Sequence, residues 1–225
     1  MRSVRLGGGR PTATPAGDLR AAARSGHLVS VACTPKELAP VEGLVVLVGL
    51  RWAVVHRLHP DLMFDGYVAV PTLQVSRLVD LTFRDWRAAE VARLAEEGRA
   101  GDAPHVDPTT TTTLLRSVAA EFGVLSVVAR HRTATTVLTG EIERMVVRQL
   151  VFMALRAGVT VEPGSLEIVA APDVARVAFG SRITTALARA RGHRRPTDLA
   201  LPGLRDIAAT PEPHSDNPDR PTAVA

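Results

Sequence analysis

The chain has 225 residues, of which 46% are hydrophobic and 22% are charged, and its formal net charge is +4. This content suffices for packed cores, while the longest apolar run, 43–50, stops at Arg51 and is too short to span a membrane. Cys33 is the only cysteine, which excludes an intrachain disulfide, and the N-terminus lacks the apolar stretch of a secretory signal. We therefore expect a cytoplasmic protein, and the arginine-rich, lysine-poor composition is typical of a bacterial genome of high GC content.

The first 82 residues predict a disordered segment followed by a small β domain. Residues 1–17 are rich in Gly, Pro, Thr and Arg without periodicity, which indicates disorder. Asp18 is predicted to cap a short helix, 19–25, that ends at Gly26. Residues 18–82 then form the first predicted domain, with five strands rich in valine and leucine at 28–33, 41–49, 52–58, 67–70 and 75–78.

Residues 83–112 predict a helix and a linker. The helix candidate, 83–99, has a partial apolar stripe formed by Trp86, Ala89, Val91 and Leu94. Residues 98–113 include five consecutive threonines and predict a flexible connection.

Residues 113–192 repeat the order of the first domain. A helix is predicted at 114–122 with Gly123 as its stop, and a last helix at 181–191 with Ile183 and Leu187 facing inward. Between these helices, strands are predicted at 125–130, 137–147, 150–155, 166–170 and 174–177. The Pro-rich and charged residues 193–225 predict a disordered tail.

An internal repeat determines the predicted architecture. A shift of 97 residues aligns 26–58 with 123–155 without a gap, and eight positions are identical: Gly26/Gly123, Leu28/Leu125, Val31/Val128, Ala32/Ala129, Gly43/Gly140, Arg51/Arg148, Val54/Val151 and Leu58/Leu155. A period of this length indicates two copies of one small domain. One helix followed by five short strands in 65 residues favours a strongly bent barrel. The predicted fold is therefore mainly β with short helices (α+β): two closed five-stranded small barrels, each preceded by a short helix and joined by a helical linker.

This order, with Gly43 and Gly140 in the second strand of each copy, resembles the Sm-like fold. The segment 138–155 looks like the first Sm motif, in which a Gly, an apolar residue two positions on and a closing Leu recur. Tandem Sm-like bacterial proteins of unassigned activity, with a Val-Pro step before the last strand as at Val70-Pro71, look similar across 18–82 and 113–182.

The residues that read a base in RNA-binding Sm proteins are replaced in this chain. The resemblance implies an Asp and an Asn in the loop between strands two and three, where Gly49 and Ala53 stand in the first copy, and Val146 and Leu150 in the second. None of these four side chains can hydrogen-bond a base edge, so RNA recognition of the Sm type is not expected.

Two groups of polar residues are candidate sites. His56, His59, Asp61 and Asp65 lie within ten residues, but they lack a recognised metal-ligand spacing and are interpreted as strand-end and turn residues. Cys33 is interpreted as a core residue. Arg51/Arg148 and Arg77/Arg176 recur at matching places, either as outer-face residues that cover apolar surface or pair with a carboxylate, or as a shared ligand surface.

The densest basic tract, 189–195, is a candidate contact surface formed by Arg189, Arg191, Arg194 and Arg195. It is either a solvated helix C-terminus or a site that contacts phosphates or an acidic partner. The net positive charge of the two copies lies in the second one.

These residues include no nucleophile motif, carboxylate pair or cofactor fingerprint, so we predict no enzyme, no catalytic residue, no cofactor and no metal. The leading hypothesis is a non-catalytic binding or scaffold protein whose partner is another protein or a second copy, without a membrane and without a small-molecule ligand. The alternative is non-specific binding of RNA or DNA through the basic second copy.

Overall fold

Ten strands and four helices make up the part of the chain that the computed structural model describes, which is 14–34, 38–82, 86–96, 103–131, 134–146, 148–157 and 161–193. In chain order the elements are α1 (Pro15–Ser25), β1 (Leu28–Cys33), β2 (Val41–Val48), β3 (Trp52–Leu58), β4 (Phe64–Pro71), β5 (Val75–Asp80), α2 (Arg87–Glu96), α3 (Thr111–Phe122), β6 (Val124–His131), β7 (Ala134–Val146), β8 (Gln149–Ala157), β9 (Val161–Ala170), β10 (Val174–Phe179) and α4 (Arg182–Ala190). We call α1 to α2 the first half and α3 to α4 the second half.

The ten strands form one antiparallel sheet in the order β5-β1-β2-β3-β4-β10-β6-β7-β8-β9. The prediction of two closed five-stranded small barrels is therefore wrong. In each half the fourth strand does not turn back to close on the fifth. Instead β4 of the first half pairs with β10 of the second, and the two halves share one open sheet.

The first residues of α1 and α3 are determined by N-cap threonines that the sequence analysis did not predict. Thr14, not Asp18, is the N-cap of α1, because its side chain accepts from the Gly17 N–H, and Gly26 ends the helix at φ 63°. The threonine run is not a flexible linker throughout, since Thr110 caps α3 and forms a reciprocal capping box with Thr113.

The predicted inward face is confirmed in part for α2, at Val91 and Leu94, and is wrong at Ile183 in α4. In α2 the buried residues are Ala88, Val91 and Leu94, whereas Trp86 lies just before the helix and is 75% exposed. In α4 the buried residues are Thr184 and Ala188, while Ile183 is 71% exposed. Their apolar stripes are short, so the sequence pattern alone leaves the inward face ambiguous.

The described residues form three apolar clusters, and the two larger ones, called the first and the second core, lie on opposite faces of the sheet at β3 and β4. The first core combines α1 with inward residues of β1 to β5, such as Val55 and Val68. The second core combines α3 with β6 to β10, and it includes Val54 and Ala69 from the first half. Because consecutive strand residues point to opposite faces, β3 and β4 contribute alternate residues to both cores.

Two glycines at matching positions bring the second and third strands of each half into close contact. Gly43 pairs with Arg57, and Gly140 pairs with Ala154. A Cβ at either glycine would lie 2.0 Å from a backbone oxygen, that of His56 or that of Met153. Both strand pairs also contain a bulge two to four residues further on, where the strands bend.

The gapless 97-residue shift is wrong by one residue in the first strand. Leu28 pairs with Leu44 in the first half, and Val124, not Leu125, pairs with the matching Glu141 in the second. The cause is His27, which separates Gly26 from β1, whereas β6 follows Gly123 directly.

Candidate assembly surface

The two halves meet along a seam, the β4–β10 pair. Its register places Tyr67 opposite Phe179, Val68 opposite Ala178 and Ala69 opposite Val177. Val68, Ala69 and Phe179 are each no more than 3% exposed. Strands buried on both faces are continuously apolar, which is the pattern of β4 at 67–70.

An aromatic cluster packs on one side of the seam. The Tyr67 ring stacks on Phe179 at a centroid distance of 5.6 Å and on His56 at 4.7 Å. Phe122, at the end of α3, lies 6.2 Å from Tyr67 and 5.0 Å from Phe179. Pairs at these distances add attraction beyond the burial of their area, so the cluster holds α3 against the first half.

A polar network connects β3 and β4 of the first half to the start of α4. The Asp65 carboxylate accepts from the Arg57 guanidinium, and its Oδ1 accepts from the Arg182 backbone N–H at 2.8 Å. Burial alone would raise the pKa of Asp65, but the Arg182 N–H and the Arg57 guanidinium outweigh it and the pKa is lowered. Because both donors favour the carboxylate, the network requires ionised Asp65.

The end strands of the described sheet, β5 and β9, each pair on one side only. Such an edge presents backbone N–H and C=O groups that another strand can bind. On β9 the side chains of Leu166 and Ile168 point to the same face and are 64% and 63% exposed. They lie beside their half-buried β8 partners Met153 and Val151. We call these four residues with the edge of β9 the β9 surface.

The opposite edge, β5, is more polar. Ser76 and Arg77 are exposed and Leu78 is half-buried. Asp80 Oδ2 lies 2.8 Å from His27 Nδ1, and its Oδ1 accepts from the Thr82 N–H. Burial raises the pKa of Asp80, but the bonds from Thr82 and His27 outweigh it and the pKa is lowered. The edge therefore has an exposed cation at Arg77 and a carboxylate at Asp80 that His27 and Thr82 hold in place, beside half-buried Leu78 and Val79.

The basic tract predicted at the C-terminal helix is partly occupied by a contact within the fold. Arg189 is exposed on α4. Arg191 Nε lies 2.9 Å from Glu141 Oε1, and His193 Nε2 lies 3.5 Å from the same oxygen. Arg194 and Arg195 lie outside the described residues.

The four candidate metal ligands are dispersed among different contacts. His56 is buried and stacks on Phe64 at 4.3 Å, while His59 Nδ1 lies 2.9 Å from Asp61 Oδ1. Within the described ranges, no three His, Cys, Asp or Glu side chains are grouped so that they could hold a metal ion. Cys33 is buried in the first core, as predicted.

The repeated arginines have different surroundings in the two halves. Arg51 and Arg148 are exposed at equivalent turns. Arg77 is exposed at the β5 edge, whereas Arg176 Nη2 donates to the Ala39 carbonyl at 2.9 Å across the seam. The contact between the two halves therefore explains the position of Arg176, and the sequence did not predict that contact.

Sequence reasoning missed both the seam and the β9 surface, although a signal for them exists. At matched positions β5 has Ser76, Val79 and Asp80, while β10 has Ala175, Ala178 and Phe179. A fifth strand with Ser76 and Asp80 in the first half, and with Ala175 and Phe179 in the second, indicates that only the strand of the second half is covered.

Comparisons of the chain with models of protein families, with curated proteins and with solved structures find no match. The resemblance to Sm-like proteins therefore stays a prediction. Among the described residues, no helix combines the length and apolar character needed to cross a membrane.

Proposed function

We propose that this chain is a non-catalytic scaffold that binds protein through the β9 surface, and that it arose by duplication of a helix–five-strand–helix unit. The observation that carries the proposal is the pair of exposed side chains Leu166 and Ile168 next to an open strand edge. An apolar face and an unpaired edge together provide side-chain burial and backbone hydrogen bonds to an added strand.

The strand registers support the duplication. Each half has the strand order fifth, first, second, third, fourth. Trp52 pairs with Pro71 in the first half and Gln149 pairs with Ala170 in the second, so the fourth strands match at an offset of 99 residues. The fifth strands match at the same offset, because Val75 pairs with Cys33 and Val174 with Ala129.

The duplication in turn supports binding at β9. At the 99-residue offset, Leu166 and Ile168 correspond to Tyr67 and Ala69, which face the second half at the seam. The same face is thus covered by protein in the first half and exposed in the second. Burying apolar side chains of this size stabilises a contact by about 1.5–3 kcal/mol each, which favours a protein partner there.

A photo-crosslinking residue at position 168 tests whether protein occupies the β9 surface. With the full chain in the cells that make it, we expect a covalent protein adduct at position 168. The matched control is position 50, because Leu50 is 71% exposed in the turn between β2 and β3 and is not part of the β9 surface. No adduct at position 168, or equal adducts at both positions, would overturn the proposal.

A further inference from the structure

An open cleft lies between the β7–β8 turn and α3 in the second half. Its volume is about 340 Å³, and its lining includes Val146, Arg148 and Gln149 of the turn together with Arg116 of α3. All four of these residues are exposed. The cleft shares no residue with the β9 surface, so the function proposed above does not use it.

Two arginines make the cleft attractive to an anion. Arg116 and Arg148 line it together, and among the described residues no Asp or Glu side chain belongs to the lining. The carboxylate of Asp173, two positions after the lining residue Ala171, lies outside it. Guanidinium groups without a competing carboxylate are suited to hold the carboxylate of a ligand through bidentate hydrogen bonds.

Apolar side chains form another part of the lining. They are Met145, Val146 and Ala171, and Val146 is 47% exposed. Free phosphate gains nothing from these side chains, whereas an apolar group attached to a carboxylate is removed from water by them. The cleft therefore matches a ligand in which a carboxylate is joined to an apolar group.

The backbone at Arg148 is strained. Its φ is 65°, in the left-handed region, which is costly for a residue with a Cβ and suits glycine. The Arg148 carbonyl accepts from the Ala171 N–H at 2.8 Å, and this backbone contact needs no particular side chain. Strain of this kind is typical of functional sites, so the arginine at this place has a role beyond forming the turn.

The first half has an arginine at the matching turn but not the pair. Arg51 corresponds to Arg148 and is exposed, and its carbonyl accepts from the Thr72 N–H at 2.9 Å. Counted back from the glycine that ends each helix, Arg116 corresponds to Leu19, which is fully buried in the first core. The two arginines therefore come together in the second half, and Arg51 provides a matched control for Arg148.

The open form of the cleft favours the end of a protein chain over a small molecule. Sites for small molecules bury about 70–90% of the ligand, whereas the turn residues and Arg116 that line this cleft are exposed. A C-terminal residue needs only its carboxylate and its last side chain enclosed, because the preceding residues leave through the opening.

We propose that this cleft binds the C-terminal residue of a partner protein. Arg116 and Arg148 hold the terminal carboxylate, and an apolar last side chain packs against Met145 and Val146. This contact goes beyond the one at the β9 surface, so the scaffold has two separate places for partners. Because charge holds the carboxylate at an exposed site, the affinity falls as salt rises.

Paired peptides test the class of ligand. The probes are fluorescent Gly/Ser peptides that end in leucine, valine or phenylalanine, each made as the free acid and as the C-terminal amide. Fluorescence anisotropy with the full chain should show at least one acid that binds about tenfold or more tightly than its amide, because only the acid forms charged hydrogen bonds with the arginines. Three results would overturn the inference: equal binding of acids and amides, no binding of any acid up to about 1 mM, or N-acetyl-leucine that binds as tightly as the peptides.

Substitutions at the two matching turns test the site. Arg148→Glu should weaken binding of the acid peptide by about tenfold or more, and Arg51→Glu should leave it unchanged. Equal effects of these two changes would overturn the inference.

Arg148→Gly separates binding from folding. It removes the guanidinium and lets the turn adopt a φ of 65° without strain. We expect weaker binding of the acid peptide, together with a urea midpoint no lower than that of the unchanged chain. Binding by Arg148→Gly as tight as that of the unchanged chain would overturn the inference.

Discussion

Gly43 and Gly140 show how single residues determine the path of this sheet. Each lies where a Cβ would meet a backbone oxygen of the neighbouring strand at 2.0 Å. No rotamer change can relieve a contact with backbone, so the strands must move apart if either residue gains a side chain.

Gly43→Ala is therefore expected to lower the free energy of unfolding by about 1–3 kcal/mol, as overpacking does in a filled core. The control is Gly17→Ala in α1, where the nearest atom to the new Cβ is Thr14 Oγ1 at 3.5 Å. That change should raise the free energy of unfolding by about 0.5–1 kcal/mol, because alanine favours a helix. Urea titration measures both, and equal effects would contradict the close approach.

Asp65 makes one contact between the halves dependent on pH. Its pKa is lowered in the folded state, so the stability it contributes is present above its unfolded pKa of about 4 and is lost as the pH falls through the folded value. Asp65→Asn should remove this part of the acid dependence. Hydrogen exchange at the start of α4, followed from neutral to acidic pH, measures it. An unchanged acid profile in the variant would show that the Asp65 network does not contribute.

At the scale of elements, β10 determines how the halves join. Phe179 is fully buried between Tyr67 and Phe122, whereas Asp80 ends the matching strand of the first half. The polar residue at the end of β5 thus belongs to an edge strand, and the aromatic residue at the end of β10 belongs to an interior strand.

Phe179→Ala should lower the free energy of unfolding by about 3–5 kcal/mol, the usual cost of a large aromatic cavity. Leu166→Ala is the control. Because the Leu166 side chain is exposed, its removal should change the free energy of unfolding of the monomer by no more than about 0.5 kcal/mol. Thermal unfolding of both variants at low protein concentration measures the difference. Similar midpoints would mean that the seam is not part of the cooperative fold.

Much of the element order could be predicted from the sequence, and the pairing of the elements could not. Valine-rich runs and the stops at Gly26 and Gly123 indicate the strands and helix ends, because those signals are local. The β4–β10 pair joins residues far apart in the chain, and the continuous apolar run 67–70 in β4 does not indicate which strand pairs with it. The β9 surface could not be predicted for the same reason. Leu166 and Ile168 are exposed because no other described strand pairs with β9, and this depends on the arrangement of the whole sheet.

At the scale of the whole molecule, the alternative function, non-specific binding of RNA or DNA, depends on the basic tract 189–195. Arg191 already contacts Glu141, which reduces the charge offered to a phosphate. We expect oligonucleotide binding no tighter than about 10⁻⁶ M near physiological salt, with affinity falling steeply as salt rises. Fluorescence anisotropy with RNA and DNA checks this, with Arg189→Glu as the variant and Arg51→Glu as the control. Sequence-selective binding that persists at high salt would favour the alternative.

The seam also has a consequence for the order in which the protein is made. Tyr67 leaves the ribosome roughly one hundred residues before its partner Phe179, which at about 5–20 residues per second is about 5–20 s. During that interval the nascent first half holds β4 with an unpaired edge and an uncovered aromatic side chain. Until translation reaches β10, β4 is therefore the segment of the first half that another unpaired strand can bind.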